Sequence, residues 1–132
     1  MNVPVLIAAC ISLLALVVHT FIGTKETAAI APGGEGGESQ IKLTLHWKQS
    51  MCAFQMLTID LLLMTVALFT ISLSDIISFE YELTLFLSLV FLLWGIAWLV
   101  QLFWLKAKAK TYGALAQWIF WFICSALLYW GA

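Results

Sequence analysis

The chain has 132 residues, of which 64% are apolar and only 10% are charged. A soluble domain of this length carries about a quarter charged residues, so this composition excludes a water-soluble globular fold. The net charge is −1 and there is no arginine, which excludes a nucleic-acid-binding surface and phosphate recognition by guanidinium groups. The sequence therefore predicts an integral membrane protein whose first partner is the lipid bilayer.

Four apolar stretches follow one another along the chain. Each contains about 20 continuously apolar residues, enough for an α-helix to cross ~30 Å of hydrocarbon. None alternates with period two, as the strands of a membrane barrel would. We therefore predict an all-α fold, with residues 1–132 forming a single polytopic membrane domain built as an antiparallel bundle of four transmembrane helices. The predicted helices cover about residues 3–23, 46–73, 83–105 and 112–130.

The first predicted helix is interpreted as a retained membrane anchor. Its start has no lysine or arginine, and its apolar segment is longer than that of a signal peptide. Small side chains on one stripe would let a neighbouring helix approach closely, and we expect the imidazole that ends the stripe to point into the bundle. At helical spacing the stripe contains Ala8, Ser12, Ala15 and His19.

The connections between the helices differ in charge. Residues 24–45 form a Gly-rich connection that we expect to be flexible. Residues 41–47 within it could form a short interfacial strand, although we favour the first turns of the second helix. The positive-inside rule predicts that the first and third connections are cytoplasmic and that both termini face the periplasm. Those two connections, together with the first turn of the second predicted helix, hold all the lysines: Lys25, Lys42, Lys48, Lys106, Lys108 and Lys110.

Asp60 is the acidic residue predicted to lie near the middle of the bilayer, on a helical stripe with Leu57 and Met64. A carboxylate at that depth costs about 2.5–3.5 kcal/mol, and no lysine or arginine occurs within the apolar stretches, the second of which begins at about Met51. We therefore expect Asp60 to be largely protonated at neutral pH. Two interpretations follow: a carboxyl that titrates during proton-coupled transport, or a protonated carboxyl that donates a hydrogen bond to a neighbouring helix as structural glue.

Other polar residues are predicted at similar depth, closer to the cytoplasmic side. We hypothesise that they meet in a polar cluster if the bundle is compact. Two imidazoles could instead ligate haem b or a metal ion, with Glu26 as a third ligand, or they could bond to headgroups and glutamines. We predict no cofactor and keep haem or metal as the alternative. The cluster candidates are His19, His46, Gln49, Gln101 and Gln117.

Four tryptophans are predicted to lie away from the membrane interfaces. We interpret them as packing groups or lipid-facing bulk rather than as a stacking site for a ligand. They are Trp94, Trp98, Trp118 and Trp121.

The end of the first helix and the start of the second carry a recognisable pattern. His19, Gly23 and Glu26, followed by His46 next to Trp47, resemble small uncharacterised bacterial four-helix membrane proteins. Those proteins end helix one with His, Ser or Thr, then Gly and Glu, and open helix two with a Trp-His pair. Here the order of that pair is reversed, and one residue is added before the glutamate. The resemblance implies the fold and a bacterial inner membrane, and it implies no activity.

Three functional readings follow from these features. The leading one is a non-enzymatic accessory or structural subunit that works with other membrane proteins or with copies of itself. The second is a small proton-coupled transporter or channel that uses Asp60. The third is a redox subunit that binds haem or metal through His19 and His46. An enzyme is not expected, because membrane enzymes show several convergent acids, bases or ligands.

Overall fold

The computed structural model describes residues 1–33 and 37–132, which form helices and no strand within those ranges. The predicted all-α class is therefore confirmed. In chain order the helices are α1 (Val3–Ala29), α2 (Glu38–Leu73), α3 (Glu80–Trp104), α4 (Ala109–Ala114) and α5 (Gln117–Gly131).

Three helices, α1, α2 and α3, are long and apolar enough to cross a membrane. The predicted fourth helix over 112–130 is instead interrupted, because α4 ends at Ala114 and α5 begins at Gln117. With 15 residues, α5 is about 22 Å long at 1.5 Å per residue. That is shorter than the ~30 Å hydrocarbon core of a bilayer.

Two indole groups stabilise the interruption between α4 and α5. Trp98 Nε1 donates to the backbone oxygen of Leu115, and Trp118 Nε1 donates to that of Tyr112, both at 3.1 Å. A carbonyl released from the helical pattern needs such a donor when water is excluded. One of the two donors comes from another helix, so the break depends on tertiary contacts.

The first helix is longer than predicted and changes geometry near its end. It is α-helical over Val3–Val17, π-helical over Val18–Gly23 and α-helical again over Thr24–Ala29. The last segment contains alanine, lysine and glutamate, which favour helix, and the next proline is Pro32. The predicted end at residue 23 is therefore wrong by two turns, since no helix-breaking residue follows it at once.

The second helix begins at Glu38, earlier than the predicted start at residue 46, so residues 41–47 are helical. Lys42 Nζ lies 2.6 Å from Glu38 Oε1, an i,i+4 pair that favours the first turns slightly. The connection predicted over residues 24–45 is correspondingly shorter. Residues 34–36, in the middle of its Gly-rich run, lie outside the described part of the chain.

The helices pack in the order α2, α1, α5, α3. The first helix lies against both α2 and α5, and α5 lies against α3, whereas α2 and α3 touch at few points. The apolar core runs through all four long elements and includes Val5, Leu68, Phe91 and Leu128, each at 0% exposure. The gap between α2 and α3 leaves one side of the bundle open.

The predicted stripe of α1 lies at its helix interfaces. Ala8 and Ser12 are fully buried, and Ala15 is half-buried. Ser12 Oγ lies 3.1 Å from Thr65 Oγ1 of α2, and Thr65 Oγ1 also lies 2.7 Å from the backbone oxygen of Leu61. Small residues and hydroxyl pairs hold helices together where hydrophobic association is weak, as it is in lipid.

The α3–α5 interface uses the same chemistry. Ser88 Oγ donates to the backbone oxygen of Ser125 at 2.8 Å, and both serines are buried. Gly95 of α3 allows a close approach, because a Cβ at this position would lie 2.9 Å from Cε1 of Phe122. These contacts set the position of the α3 tryptophans relative to α5.

One residue, Asn2, joins three helix ends at the end of the bundle that carries both termini. Asn2 Nδ2 donates to the backbone oxygen of Gly131 at 2.5 Å, and its Oδ1 accepts from Val5 N–H at 3.3 Å. The backbone N–H of Asn2 donates to Ser72 O at 3.2 Å. The start of α1, the end of α5 and the end of α2 therefore meet there.

The end of α3 has a left-handed cap. Lys106 has φ of 52°, and the backbone N–H of Ala107 donates to Leu102 O at 3.0 Å. This 6→1 bond around a left-handed residue is a Schellman motif. A lysine in that conformation costs roughly 1–2 kcal/mol relative to an unstrained backbone.

Candidate functional site

Asp60 lies in an open crevice between α2 and α3, called here the Asp60 crevice. Asp60 lies about 20 Å along the helix from the end of α2, because 13 residues separate it from Leu73, the last residue of α2. The carboxyl group is exposed at the protein surface rather than buried in the core. The crevice encloses about 300 Å³ and is lined by Leu57, Asp60, Trp94, Ala97, Trp98, Gln101 and Trp121.

The helical register of α2 places Asp60 beside the crevice. The buried face of α2 runs through Leu61, Thr65, Leu68 and Ser72, at i, i+4, i+7 and i+11. Asp60 comes one residue before this face, so it is rotated by about 100° from the packed stripe. The helical stripe that was predicted to contain Asp60 therefore lies at the edge of the packed face. Leu57, a member of that stripe, is accordingly only half-buried.

Three indole rings form the wall of the crevice opposite Asp60, and they are called here the aromatic wall: Trp94, Trp98 and Trp121. Trp94 and Trp98 are half-buried, whereas Trp121 is 4% exposed. The ring centroids of Trp94 and Trp121 are 5.0 Å apart with planes 72° apart. Such edge-to-face pairs are favourable, and the two perpendicular rings form a concave corner.

The indole nitrogen of Trp121 is a buried donor without an acceptor. Among the described residues, Nε1 of Trp121 has no hydrogen-bond partner, while the ring packs against Phe91 and Phe120. A buried N–H that is left unpaired costs about 1–3 kcal/mol. Trp121 also lines the Asp60 crevice, so a turn of its ring toward the crevice would bring this donor to an occupant.

The sequence contained a signal for this wall that the sequence analysis did not use. Trp94, Trp98 and Gln101 recur at i, i+4 and i+7 of α3, which places them on one helix face. The interpretation of the deep tryptophans as packing groups describes Trp121, which lies in the core. For Trp94 and Trp98 the interpretation as packing groups is incomplete, because both residues also line the Asp60 crevice.

His19 is held by one residue of α2. Its ring stacks on Phe54 with centroids 3.8 Å apart and planes 16° apart, and its Nε2 lies 3.1 Å from the backbone oxygen of Phe54. The side chain is half-buried and lies in the π-helical segment of α1, a geometry that often occurs at functional positions. The imidazole therefore faces α2, and its observed role is to join α1 and α2.

The other members of the predicted polar cluster lie apart from His19. Their side chains are exposed, and within residues 1–33 and 37–132 no side-chain hydrogen bond joins two of the five residues. Gln101 lines the Asp60 crevice instead. The predicted contact among the five is not observed in the described part of the chain, because four of the five side chains point outward from their helices. The exposed four are His46, Gln49, Gln101 and Gln117.

The predicted metal ligands are also separate. No group of three or more His, Cys, Asp or Glu side chains in the described part of the chain is arranged to hold a metal ion. Glu26 is exposed on the last turns of α1. The structure thus does not join it with His19 and His46 in a three-ligand site, and haem ligation by the two histidines stays a prediction.

Comparison with known proteins adds no relative. The chain matches no family model, no curated protein and no solved structure.

Proposed function

We propose that this chain is a small, non-enzymatic, multi-pass membrane protein that carries a substrate across the bilayer, with Asp60 as the group that binds and releases a proton. The observation that supports the proposal is the Asp60 crevice itself. An acid and an amide line one cavity together with three indole rings, one of which, that of Trp121, has an unpaired N–H among the described residues. Ionisable residues within a membrane are costly and commonly mark substrate or proton pathways.

The proposal includes four membrane crossings in a bacterial inner membrane. The fourth crossing consists of α4 and α5 together, which span 109–131 with the interruption described above. The two indole donors at the interruption support it, because a broken helix is tolerated in a membrane only where its backbone is satisfied by protein. The lysine-bearing ends of the helices face the cytoplasm and both termini face the periplasm.

The arrangement can couple a proton to a substrate by charge exchange. Among the described residues no lysine or arginine lines the crevice, so no protein cation pairs with the Asp60 carboxyl group. Binding of a substrate that stabilises the carboxylate releases the proton, and departure of the substrate allows a new proton to bind. Gln101 stays neutral in both states and can donate to the carboxylate.

The test is proton movement in liposomes that contain the purified protein and an internal pH indicator. Proton efflux or uptake is followed while small amphiphilic solutes (cationic, anionic and neutral) are added outside. We expect at least one class to drive proton movement with the wild type and none with Asp60→Asn. Asp75→Asn is the matched control, because Asp75 is an exposed acid in the α2–α3 connection. Equal proton movement with Asp60→Asn, or none with any solute, would overturn the proposal.

A second candidate function, an accessory subunit of a membrane complex, is favoured by the free part of α2. Leu57 and Gln101 line the same crevice, and α3 ends three residues after Gln101. The first turns of α2 therefore continue beyond the end of α3. They expose apolar side chains next to lysines, with Ile41 59% and Leu45 60% exposed, a surface that suits another membrane protein or a second copy.

Affinity purification in a mild detergent tests the accessory function. We expect a stoichiometric membrane protein, or a dimer of the chain, to co-elute with the wild type and with Asp60→Asn. The double variant Ile41→Ser/Leu45→Ser should lose it. Leu63→Ser is the matched control, because Leu63 is equally exposed at 60% but lies farther along α2. A wild-type chain that elutes as a monomer with nothing bound would contradict this second function.

A further inference from the structure

We infer that the Asp60 crevice binds a lipophilic organic monocation, and that a hydrogen-bond acceptor on the cation strengthens the binding. Its charge lies at Asp60, its apolar body lies against the aromatic wall, and its acceptor lies at Trp121 Nε1. The inference rests on the proposed function, because it names the substrate class of the same site. It follows from the charge, the ring geometry, the unpaired donor and the position of the opening.

The charge of the crevice selects a cation. Asp60 is the charged side chain among the lining residues, and the other six are apolar, aromatic or amide side chains. The lysines of the chain lie near the ends of the helices or in the connection after α3, so none neutralises Asp60 in the crevice. A cationic ligand replaces the proton on the carboxyl group, whereas an anionic ligand would be repelled by it.

The aromatic wall selects a cation with an apolar surface. Indole offers the strongest ring face for a cation, and sites for quaternary ammonium groups are commonly lined by such rings. Trp94 and Trp98 lie one turn apart on α3, and Trp121 is nearly perpendicular to Trp94. The cavity of about 300 Å³ is at the lower end of the range of small-molecule sites. Because the crevice is open to one side, a ligand places one or two rings or short alkyl groups against the aromatic wall, and the rest of the ligand extends out of the crevice.

The unpaired indole N–H of Trp121 favours a ligand that carries a hydrogen-bond acceptor. Trp121 is 4% exposed and its Nε1 has no partner among the described residues, although the other two inner indoles that donate, Trp98 and Trp118, each reach a backbone carbonyl. A ligand oxygen, such as an ester or ketone carbonyl, would satisfy this donor. Sites built with a polar group for one ligand atom discriminate strongly against analogues that lack the atom.

The opening between α2 and α3 determines how the ligand arrives. The two helices touch at few points, so the crevice between them opens toward the acyl chains when the protein lies in a bilayer. The ligand therefore enters sideways from the lipid, which requires that it partition into the membrane despite its charge. A hydrophilic cation would not meet this requirement.

Equilibrium binding to the full-length protein in nanodiscs of zwitterionic lipid tests the inference. The probes are radiolabelled tetraphenylphosphonium and tetraphenylborate, which have the same shape and opposite charges. We expect saturable binding of the phosphonium, and for the borate only the partitioning seen with empty nanodiscs. Asp60→Asn and Trp94→Leu should each weaken phosphonium binding at least tenfold. Trp104→Leu is the control, because Trp104 is 78% exposed at the end of α3 and does not line the crevice.

A second pair of measurements separates the aromatic contact from misfolding. Trp94→Phe keeps a ring face, so it should retain more phosphonium binding than Trp94→Leu. For the acceptor, we expect Trp121→Phe to weaken binding of benzoylcholine, which has a carbonyl, and to leave tetraphenylphosphonium binding unchanged. Saturable binding of the borate, or phosphonium binding that is insensitive to Asp60→Asn, would overturn the inference.

The outcomes distinguish the inference from the proposed function. If the cation binds at Asp60 but drives no proton movement in liposomes, and no other solute drives any, the transport function fails and the binding site stands. If anionic or neutral solutes drive Asp60-dependent proton movement and the phosphonium neither binds nor competes, the substrate class is wrong and the transport function stands.

Discussion

The close approach of α3 and α5 at Gly95 leads to a prediction for Gly95→Leu. A Cβ at this position would lie 2.9, 3.1 and 3.2 Å from three ring atoms of Phe122. Carbon atoms in contact prefer about 3.5–4.0 Å, so the Phe122 ring would have to retreat by roughly 0.6 Å even for an alanine. Leucine adds three further carbons to the same space. We therefore expect the two helices to be forced apart.

The magnitude follows from two opposing terms. Replacing a helical glycine gains about 1 kcal/mol of helix propensity, and overfilling a packed interface costs about 1–3 kcal/mol. For Gly95→Ala the two nearly cancel, because the ring of the half-buried Phe122 can turn. For Gly95→Leu the steric cost lies near the upper end of that range, and after the gain in helix propensity we expect a net loss of about 2 kcal/mol of unfolding free energy.

Unfolding in mixed micelles, followed by circular dichroism as the denaturing detergent fraction rises, measures this loss. Gly113→Leu is the matched control, because a Cβ at Gly113 would meet nothing within 4 Å, and it should not lower stability. Phe122→Ala vacates the space that the leucine needs. In the Gly95→Leu/Phe122→Ala double variant the effect of the leucine should therefore shrink or change sign. Strict additivity of the two substitutions would refute the reasoning.

Three further predictions concern contacts between and within helices. Ser12→Ala and Thr65→Val, combined in a double-mutant cycle, should show a coupling of about 0.6 kcal/mol, as membrane hydrogen bonds do on average; zero coupling would mean that the 3.1 Å contact contributes nothing. His19→Ala removes the ring stacked on Phe54 and should cost about 0.5–1.5 kcal/mol. Hydrogen exchange should then rise in the last turns of α1, and unchanged protection would contradict the role assigned to this ring. Lys106→Gly relieves a left-handed lysine and should stabilise the protein by about 1 kcal/mol, measured by the same micelle titration; a loss of stability would show that the cap needs the side chain.

The sequence was sufficient for the all-α fold class. Continuous apolar stretches with few charges have a bilayer as their one compatible solvent, so the helical class followed from composition and length. The small-residue stripe of α1 also pointed inward, and Ala8 and Ser12 are fully buried. Each of these features can be recognised from the residues of a single helix, because it depends on the composition or the periodicity of that helix alone.

The crevice could not be predicted, because it depends on which helices are neighbours. Consecutive helices are usually adjacent, yet α2 and α3 touch at few points and α1 lies between α2 and α5. The interruption at Leu115 depends on a donor from another helix, Trp98. Asp60 is offset from the packed face of α2 by a single residue. When both faces of a helix contact apolar surroundings, the apolar pattern does not show which face packs against other helices, so this offset could not be read from the sequence. Tertiary neighbours therefore decide these features.

The packing order has a mechanical consequence. The chain consists of two helical hairpins, α1 with α2 and α3 with α5, which contact each other mainly along the line where α1 meets α5. Asn2 fastens that line at one end through Gly131. A relative rotation of the hairpins about this line acts as a hinge whose free edges are α2 and α3. The width of the opening beside Asp60 can then change while both hairpin interfaces, with their hydroxyl pairs, stay intact.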